Sequence, residues 1–498
     1  MRRISGWIAK RTKESGSSIL RAAALQLVSK YSTILIGLGT QLVLARLLTP
    51  TDYGVLAVMM VFTTFFGMLA DFGISGAVVQ NQNMDSDDIR SIYAWSLRLA
   101  LVLGIGFACL SYPISIFYGN TIYHSLGCIL SIAVFFSALN MVPNALLMKR
   151  KFFLLIGLRQ VTVAIACAVI SIVLAYFGAG VYALVASSVL SAVMNYLWNI
   201  KGAGLRLSWH VNKESIRKIR SFSLNVFGFN FVNYFARNLD NLLIGKFFGT
   251  VPLGNYNRAY QLMVYPMSMF THVVTPVLLP FIAEHQQDKQ YIYEKFLSTV
   301  KILSLLGIFI STFCFFSAKE MVLILFGGQW AGAVPCFQYL SMSIWSQMIC
   351  ATSGTMFQAI GRADLMFKRG LLTAGTTVSC IVIGVLYCSL EGTAFLVSLS
   401  YFNPFFLMIY FLVKKGLEVN PWHFCRQLIP DGKIALSMIC LLAFISQWEF
   451  SDIVYSLILK LTAALLLYVF LLIKTNQMKY FLMVCPKKWR KFLENRFL

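Results

Sequence analysis

Residues 44–61 read LARLLTPTDYGVLAVMMV: an apolar segment that ends in one cation, a Thr-Pro-Thr-Asp turn, and the start of a second apolar segment. A similar pattern, IGKFFGTVPLGNYNRAYQLMV, occupies residues 244–264. With an offset of 200 residues, LVLARLL (42–48) lies opposite LLIGKFF (242–248), so Arg46 matches Lys246. After a short insertion, Tyr53 matches Tyr256. The chain therefore repeats a pattern of helix, outward turn and helix.

The composition places this repeat in a membrane. Of the 498 residues 58% are hydrophobic and 12% are charged, and the mean hydropathy is +0.73, whereas soluble domains carry about 25% charged residues. Apolar runs of about 20 residues, long enough to cross the hydrocarbon core, recur along the chain. They predict an all-α polytopic membrane protein with fourteen spans, at 22–46, 53–79, 91–117, 122–148, 154–177, 180–200, 222–248, 254–283, 300–318, 332–359, 371–389, 393–413, 434–449 and 453–473.

The net charge of +23 follows from topology and requires no nucleic-acid partner. Lysine and arginine cluster in every second loop, while the opposite loops (TPTD, YGN, GAG, GTVP, SLEG) carry almost none. The positive-inside rule then places both termini in the cytoplasm. The basic, amphipathic residues 1–21 lack the features of a signal peptide and are expected on the inner membrane surface. The segment 319–330 is predicted to be interfacial or partly re-entrant.

Six spans separate the two copies of the outward turn. An even number preserves orientation, so the halves are predicted to be parallel repeats: two six-helix lobes around a central cavity. The expected divisions are a basic segment (1–21), an N-lobe (22–213), a C-lobe (214–433), an extra helix pair (434–473) and a basic cytoplasmic tail (474–498).

Catalytic and metal chemistry find little support. The eleven cysteines form no CxxC pair, and the five histidines lack metal-ligand spacing. The outward loops are too short for a catalytic domain, and no paired carboxylates appear. We therefore expect no enzyme activity, metal or cofactor. Two structural expectations are close helix packing at GLGT (37–40) and kinked or broken helices at the prolines within spans, Pro143, Pro266, Pro276, Pro280 and Pro404.

Four segments in order carry a family resemblance. LARLLTPTDYGVLAV (44–58), DFGISGAVVQ (71–80), RNLDNLLIGKFFG (237–249) and FQAIGRADL (357–365) resemble Wzx-type flippases. These form the polysaccharide-transporter branch of the multidrug/oligosaccharidyl-lipid/polysaccharide superfamily, and the colanic-acid exporter group is the most similar. The resemblance covers most of residues 20–415.

The resemblance implies a transporter of the bacterial cytoplasmic (inner) membrane that moves undecaprenyl-diphosphate-linked oligosaccharide from the inner to the outer leaflet by alternating access. Its implied partners are this lipid-linked substrate, membrane lipids, a polysaccharide polymerase and a chain-length regulator. Two relatives of the same fold remain as alternatives, a cation-coupled multidrug exporter and a peptidoglycan-precursor flippase.

Ionisable residues within spans are functional candidates because burying them is costly. The candidates chosen are eight cations and two anions: Lys30, Arg46, Asp71, Arg98, Arg159, Arg237, Asp240, Lys246, Arg258 and Lys460. This bias suits an anionic diphosphate, for which the guanidinium fork is well shaped.

Position separates these candidates. Arg46 and Lys246 lie near the outer span ends and can snorkel to headgroups, Asp71 is expected to pack at a helix end, and Lys460 has no counterpart in the other half. Arg237 and Asp240 share one helix face at i, i+3 and can form an ion pair. The predicted substrate-binding set is Arg237, Asp240, Arg98, Arg258, Lys30 and Arg159.

Overall fold

The computed structural model describes residues 17–71, 74–80, 84–205, 209, 211–212, 234, 237–283, 288–448, 450 and 452–484. Within these ranges the chain is helical and contains no strand. It divides into two compact units, Met1–Asn238 and Leu239–Leu498. The lobe boundary expected between residues 213 and 214 lies outside the described residues and stays a prediction.

The first unit contains α1 (Ser17–Leu47), α2 (Pro50–Asp71), α3 (Ile74–Gln80), α4 (Ser86–Tyr118), α5 (Ile122–Lys149), α6 (Phe153–Tyr176) and α7 (Val181–Ala203). The ends follow local chemistry. Asp85 caps α4 by accepting the backbone N–H groups of Asp87 and Asp88, and Gly119 ends the helix at φ 66°. Asp71 accepts the backbone N–H of Ser75 at 3.1 Å, which confirms its expected place at a helix end.

The second unit begins within a helix over 237–247, here α8. Its remaining elements are α9 (Thr250–Ala283), α10 (Lys289–Phe316), α11 (Ala318–Phe326), a 3₁₀ turn (Gly328–Trp330), α12 (Ala333–Ser341), α13 (Ile344–Cys350), α14 (Ser353–Ala359), α15 (Ala363–Tyr387), α16 (Leu390–Ser400), α17 (Asn403–Met408), a π-helical segment (Ile409–Gly416), α18 (Pro421–Ser446), α19 (Ile453–Lys474) and α20 (Met478–Val484).

Among the described residues, eleven helical segments are long and apolar enough to cross a membrane. They correspond to eleven of the fourteen predicted spans, so the polytopic fold is confirmed. Predicted span seven (222–248) lies largely outside the described residues, and span eight (254–283) lies within α9. The thirteenth span, predicted from residue 434, is wrong at its start, because α18 begins at Pro421.

Predicted span ten (332–359) is broken into α12, α13 and α14. Serine hydroxyls at the breaks bond to carbonyls three residues earlier, from Ser343 to Leu340 at 2.7 Å and from Ser353 to Cys350 at 2.6 Å. Such bonds compete with the helical ladder and favour tight turns. Predicted span ten therefore consists of three short helices and not of one long helix.

The close helix contact lies elsewhere than expected. A Cβ added at Gly37 or Gly39 would meet nothing within 4 Å among the described residues, so GLGT is not a packing seam there. At Gly127 of α5, an added Cβ would lie 2.2 Å from the Ser111 Cβ of α4. Pro143 lies inside the continuous helix α5, while Pro404 stands in the first turn of α17, where span twelve breaks.

The two copies of the repeated turn keep a register of 200 residues. Leu48 N–H bonds to the Leu44 carbonyl at 2.9 Å, and Phe248 N–H bonds to the Ile244 carbonyl at the same distance. Arg46 and Lys246 are both exposed.

The register continues into the next helices. Tyr53 N–H bonds to the Thr49 carbonyl, and Leu253 N–H bonds to the Gly249 carbonyl. The structural counterpart of Tyr53 is therefore Leu253, and the insertion that matched Tyr53 with Tyr256 was wrong. Backbone hydrogen bonding fixes this register, whereas side-chain identity does not.

Candidate functional site

The first unit holds a buried arginine in a cluster of amides. Arg159 of α6 is 7% exposed, and its Nη1 donates to Asn144 Oδ1 at 2.9 Å and to Asn199 Oδ1 at 2.5 Å. Asn199 Nδ2 in turn donates to Asn140 Oδ1 at 2.8 Å. Neutral amide oxygens from α5 and α7 thus surround a guanidinium that α6 supplies.

Two other predicted cations of this unit are exposed. Arg98 donates through Nη2 to the Trp209 carbonyl at 2.7 Å, so part of its fork is already occupied. Lys30 of α1 is exposed. In the same unit, the hydroxyls of Tyr93 and Tyr196 are hydrogen bonded at 2.9 Å and join α4 to α7.

Arg237 and Asp240 differ in environment. Arg237 is exposed, and the described ion pairs do not include it. Asp240 is 3% exposed; its Oδ2 accepts the Tyr256 hydroxyl at 3.0 Å and its Oδ1 accepts the Asn241 N–H at 2.8 Å. The ion pair that the spacing allowed is therefore absent from the described residues, where Asp240 accepts hydrogen bonds from neutral donors.

The second copy of the repeated pattern supplies most of a polar cluster around Asp240. Besides Tyr256, it contributes Asn257, whose Nδ2 lies 3.5 Å from Asn241 Oδ1. The Tyr260 and Tyr401 hydroxyls lie 3.2 Å apart. Hydroxyl and amide groups suit saccharide hydroxyls, which both donate and accept hydrogen bonds.

Arg258 is deep inside the second unit. It is 1% exposed, and Nη1 donates to Gln261 Oε1 at 2.8 Å. Its guanidinium carbon lies 5.8 Å from the Phe326 ring centroid and 5.6 Å from that of Trp330, in cation–π range. The segment predicted as interfacial or re-entrant therefore provides an aromatic wall inside this unit, with Trp330 fully buried.

Two buried ion pairs of the second unit were missed. Lys301 of α10 pairs with Asp431 of α18, and each is 1% exposed; Ser304 donates to Asp431 Oδ2 at 2.7 Å. Sequence reasoning did not consider Lys301 and placed residue 431 in a loop. An ionisable residue at a helical position of an apolar segment, as Lys301 is, was the available signal.

The second pair joins Lys460 of α19 to Glu320 of α11 at 2.6 Å. Lys460 also donates to the Phe316 carbonyl at 2.8 Å, and Ser456 donates to Glu320 at 2.8 Å. Lys460, ranked low for want of a counterpart in the other half, thus has a partner within its own unit.

In the described ranges no group of three or more histidine, cysteine, aspartate or glutamate side chains is arranged to hold a metal ion. The ten cysteines that lie there are all free.

Comparison with known proteins identifies the family. A family model described as "Polysaccharide biosynthesis protein" matches residues 43–335, more than half of the chain and both copies of the repeated turn. The chain belongs to this family. The matched range contains three of the four segments that carried the resemblance, those that begin at residues 44, 71 and 237. The fourth segment, 357–365, lies beyond it.

The chain is also similar to polysaccharide biosynthesis proteins of several bacteria. The chain is 27% identical over 363 residues to the lipopolysaccharide biosynthesis protein WzxC of Escherichia coli K12, covering 71% of this chain and 73% of that protein. It is 22% identical over 378 residues to the succinoglycan biosynthesis transport protein ExoT of Rhizobium meliloti, covering 76% of each. It is 23% identical over 438 residues to the teichuronic acid biosynthesis protein TuaB of Bacillus subtilis, covering 79% and 87%.

Solved structures establish the fold of this family member. The lipid II flippase MurJ in an inward closed conformation superposes with a TM-score of 0.74 at 13% identity, covering 91% of this chain and 99% of that one. An inward-facing multidrug resistance MATE transporter of the MOP superfamily superposes with a TM-score of 0.60 at 16% identity, covering 80% and 99%. At these identities the likeness shows the fold alone.

Proposed function

We propose that the protein is a flippase that moves undecaprenyl-diphosphate-linked oligosaccharide repeat units from the inner to the outer leaflet of the bacterial cytoplasmic membrane. Membership of the polysaccharide biosynthesis family carries this proposal. The relatives WzxC, ExoT and TuaB support it, since their names connect lipopolysaccharide, succinoglycan and teichuronic acid with biosynthesis or transport. The substrate is then a unit of capsule, exopolysaccharide or O-antigen.

The chemistry of the candidate residues is compatible with such a substrate. A diphosphate requires cations, and Lys30, Arg98 and Arg237 are the exposed cations of the predicted set. An oligosaccharide requires neutral donors and acceptors, which the cluster of Asp240, Tyr256 and nearby asparagines would supply. Arg159 and Arg258, both buried, would support the binding surface from behind.

The protein would act without catalysis, with both termini in the cytoplasm. Alternating access would move the substrate past the two lobes while no covalent bond changes. A polymerase and a chain-length regulator would use the product on the outer side. The cation-coupled exporter and the peptidoglycan-precursor flippase are less favoured, because the curated relatives are polysaccharide proteins.

Deletion of the gene, followed by extraction of the carrier lipids, tests the proposed function. We expect complete carrier-linked repeat units to accumulate and to remain inaccessible to a glycosidase added outside intact spheroplasts. Expression of the full chain should restore accessibility and surface polysaccharide. Absence of complete repeat units in the deletion strain would instead indicate an enzyme that assembles them.

A further inference from the structure

A second turn, on the cation-rich side, also repeats between the two units. At the turn from α5 to α6, Phe152 N–H bonds to the Leu147 carbonyl at 3.0 Å. At the turn from α14 to α15, Arg362 N–H bonds to the Phe357 carbonyl at 2.9 Å. Donor and acceptor are both displaced by 210 residues, so this bond defines a register between the halves.

The backbone conformation confirms the register. The residue before each donor has a positive φ, 59° at Lys151 and 67° at Gly361. Seven residues into the following helix, the same offset of 210 relates Arg159 of α6 to Arg369 of α15. Arg369 is therefore the positional counterpart of Arg159.

The two arginines make corresponding contacts. Arg159 bonds to Asn144 on the preceding span and to Asn199 on the following span, at 2.9 and 2.5 Å. Arg369 bonds to Ser353 on the preceding span at 2.5 Å and to the Pro404 carbonyl on the following span at 3.3 Å. Each guanidinium therefore connects the three consecutive spans of its own unit, four to six in the first and ten to twelve in the second.

The chemistry favours a connecting role over ion pairing. None of the described ion pairs includes Arg159 or Arg369, and the groups that accept their hydrogen bonds are neutral. A planar fork can bond to two helices at once in a fixed direction, whereas a lysine ammonium is a compact point charge on a flexible stem. Arg159 and Arg369 each lie within the first two turns of their helix, so they act at the cation-rich ends of the spans.

We propose that Arg159 and Arg369 are equivalent positioning residues, each of which locks the cation-rich ends of three consecutive spans into one block. Each block then moves as a unit when the cytoplasmic side of the transporter opens and closes. The consequence for transport rests on the proposed function, but the locking itself does not. Loss of either arginine lets three helix ends move separately, so the closed state no longer seals.

The test compares Arg159→Lys with Arg159→Met, and Arg369→Lys with Arg369→Met, in the full-length protein in cells. At matched membrane levels we expect all four to lower export at least about tenfold, since two charge-assisted hydrogen bonds are lost or misdirected. The matched control is Arg90→Lys, an exposed arginine in a surface pair with Asp87, which should export normally.

Rescue separates locking from charge. Asn144→Cys and Asn199→Cys, in a background without other cysteines, place thiols where the side-chain amides lie 3.3 Å apart. Joining them with a short bifunctional thiol reagent should restore export to Arg159→Met. Normal export by Arg159→Lys, or a complete cross-link without recovery, would overturn the inference. Failure of the proposed function is distinguishable, because complete carrier-linked repeat units would then be absent from the deletion strain.

Discussion

At the scale of single residues, burial divides the predicted cations into two classes. Arg159 and Arg258 are at most 7% exposed and are enclosed by amides or aromatic rings, whereas Lys30 and Arg237 are exposed. A charge within a span faces protein or water because lipid does not tolerate it. The two exposed cations, Lys30 and Arg237, are therefore the better candidates for direct contact with a diphosphate.

We predict that Arg237→Gln and Lys30→Gln each weaken substrate binding roughly tenfold, the effect of losing one charge-assisted hydrogen bond to phosphate. Surface polysaccharide at matched protein levels measures the loss, and the level of carrier-linked repeat units should rise in parallel. Lys433→Gln, which removes an exposed cation from α18, is the matched control. Unchanged export in both test variants would remove these two cations from the binding set.

At the scale of elements, two ion pairs connect the extra helix pair, α18 and α19, to α10 and α11 at separate positions along the helices. Lys301 pairs with Asp431 of α18, and Lys460 of α19 pairs with Glu320. About 22 Å of helix axis separates Lys301 from Phe316, the last residue of α10. Between the pairs, Leu305 and Ile308 pack with Ile434 and other apolar residues of α18 and α19 in one buried cluster. The helices α18 and α19 are therefore an integral part of the second unit.

We predict that Lys301→Met lowers the free energy of unfolding by about 3–5 kcal/mol, because Asp431 is left as an uncompensated buried charge. Lys301→Met combined with Asp431→Leu should recover most of this loss. Thermal unfolding of the purified protein in detergent, arranged as a double-mutant cycle, measures the coupling. Additive losses in the double variant would show that the two side chains act independently.

The control is Lys289→Met, which removes the exposed pair with Glu418, 2.6 Å apart. Its effect should be much smaller than that of Lys301→Met at neutral pH, since solvent screens exposed pairs. The hydrogen bond from Lys289 lowers the pKa of Glu418. The contribution of this ion pair to folding stability is thus fully present at a pH above the ordinary carboxyl pKa, and it is lost as the pH falls through the lowered pKa of Glu418.

At the scale of the whole molecule, the alternation of cation-rich and cation-poor turns predicts the orientation in the membrane. Single cysteines at Asn120 and Ala179, in a cysteine-free protein, should react with an impermeant maleimide added to intact spheroplasts. A cysteine at Lys151 should react only after the membrane is opened. The reverse pattern would invert the topology and would place both termini outside.

The sequence by itself determined that the chain spans a membrane and that it repeats a pattern of helix, turn and helix. Apolar length is a local property of the chain, so eleven spans and the turn between the helices at residues 44–61 could be predicted from it. The start of α18 was mispredicted because Asp431 looks like a loop residue until Lys301, 130 residues away, is placed beside it.

Only the tertiary structure decided which charges are enclosed and which are exposed. Asp240 has Arg237 one turn away on the same helix, yet its partner is Tyr256 of the next helix. The correspondence between Arg159 and Arg369 rests on backbone hydrogen bonds, which place their two turns in the same register. Side-chain identity does not reveal it, because Lys151 in one turn stands opposite Gly361 in the other. Partners across helices depend on packing, and packing is a property of the folded chain that spacing along the sequence does not contain.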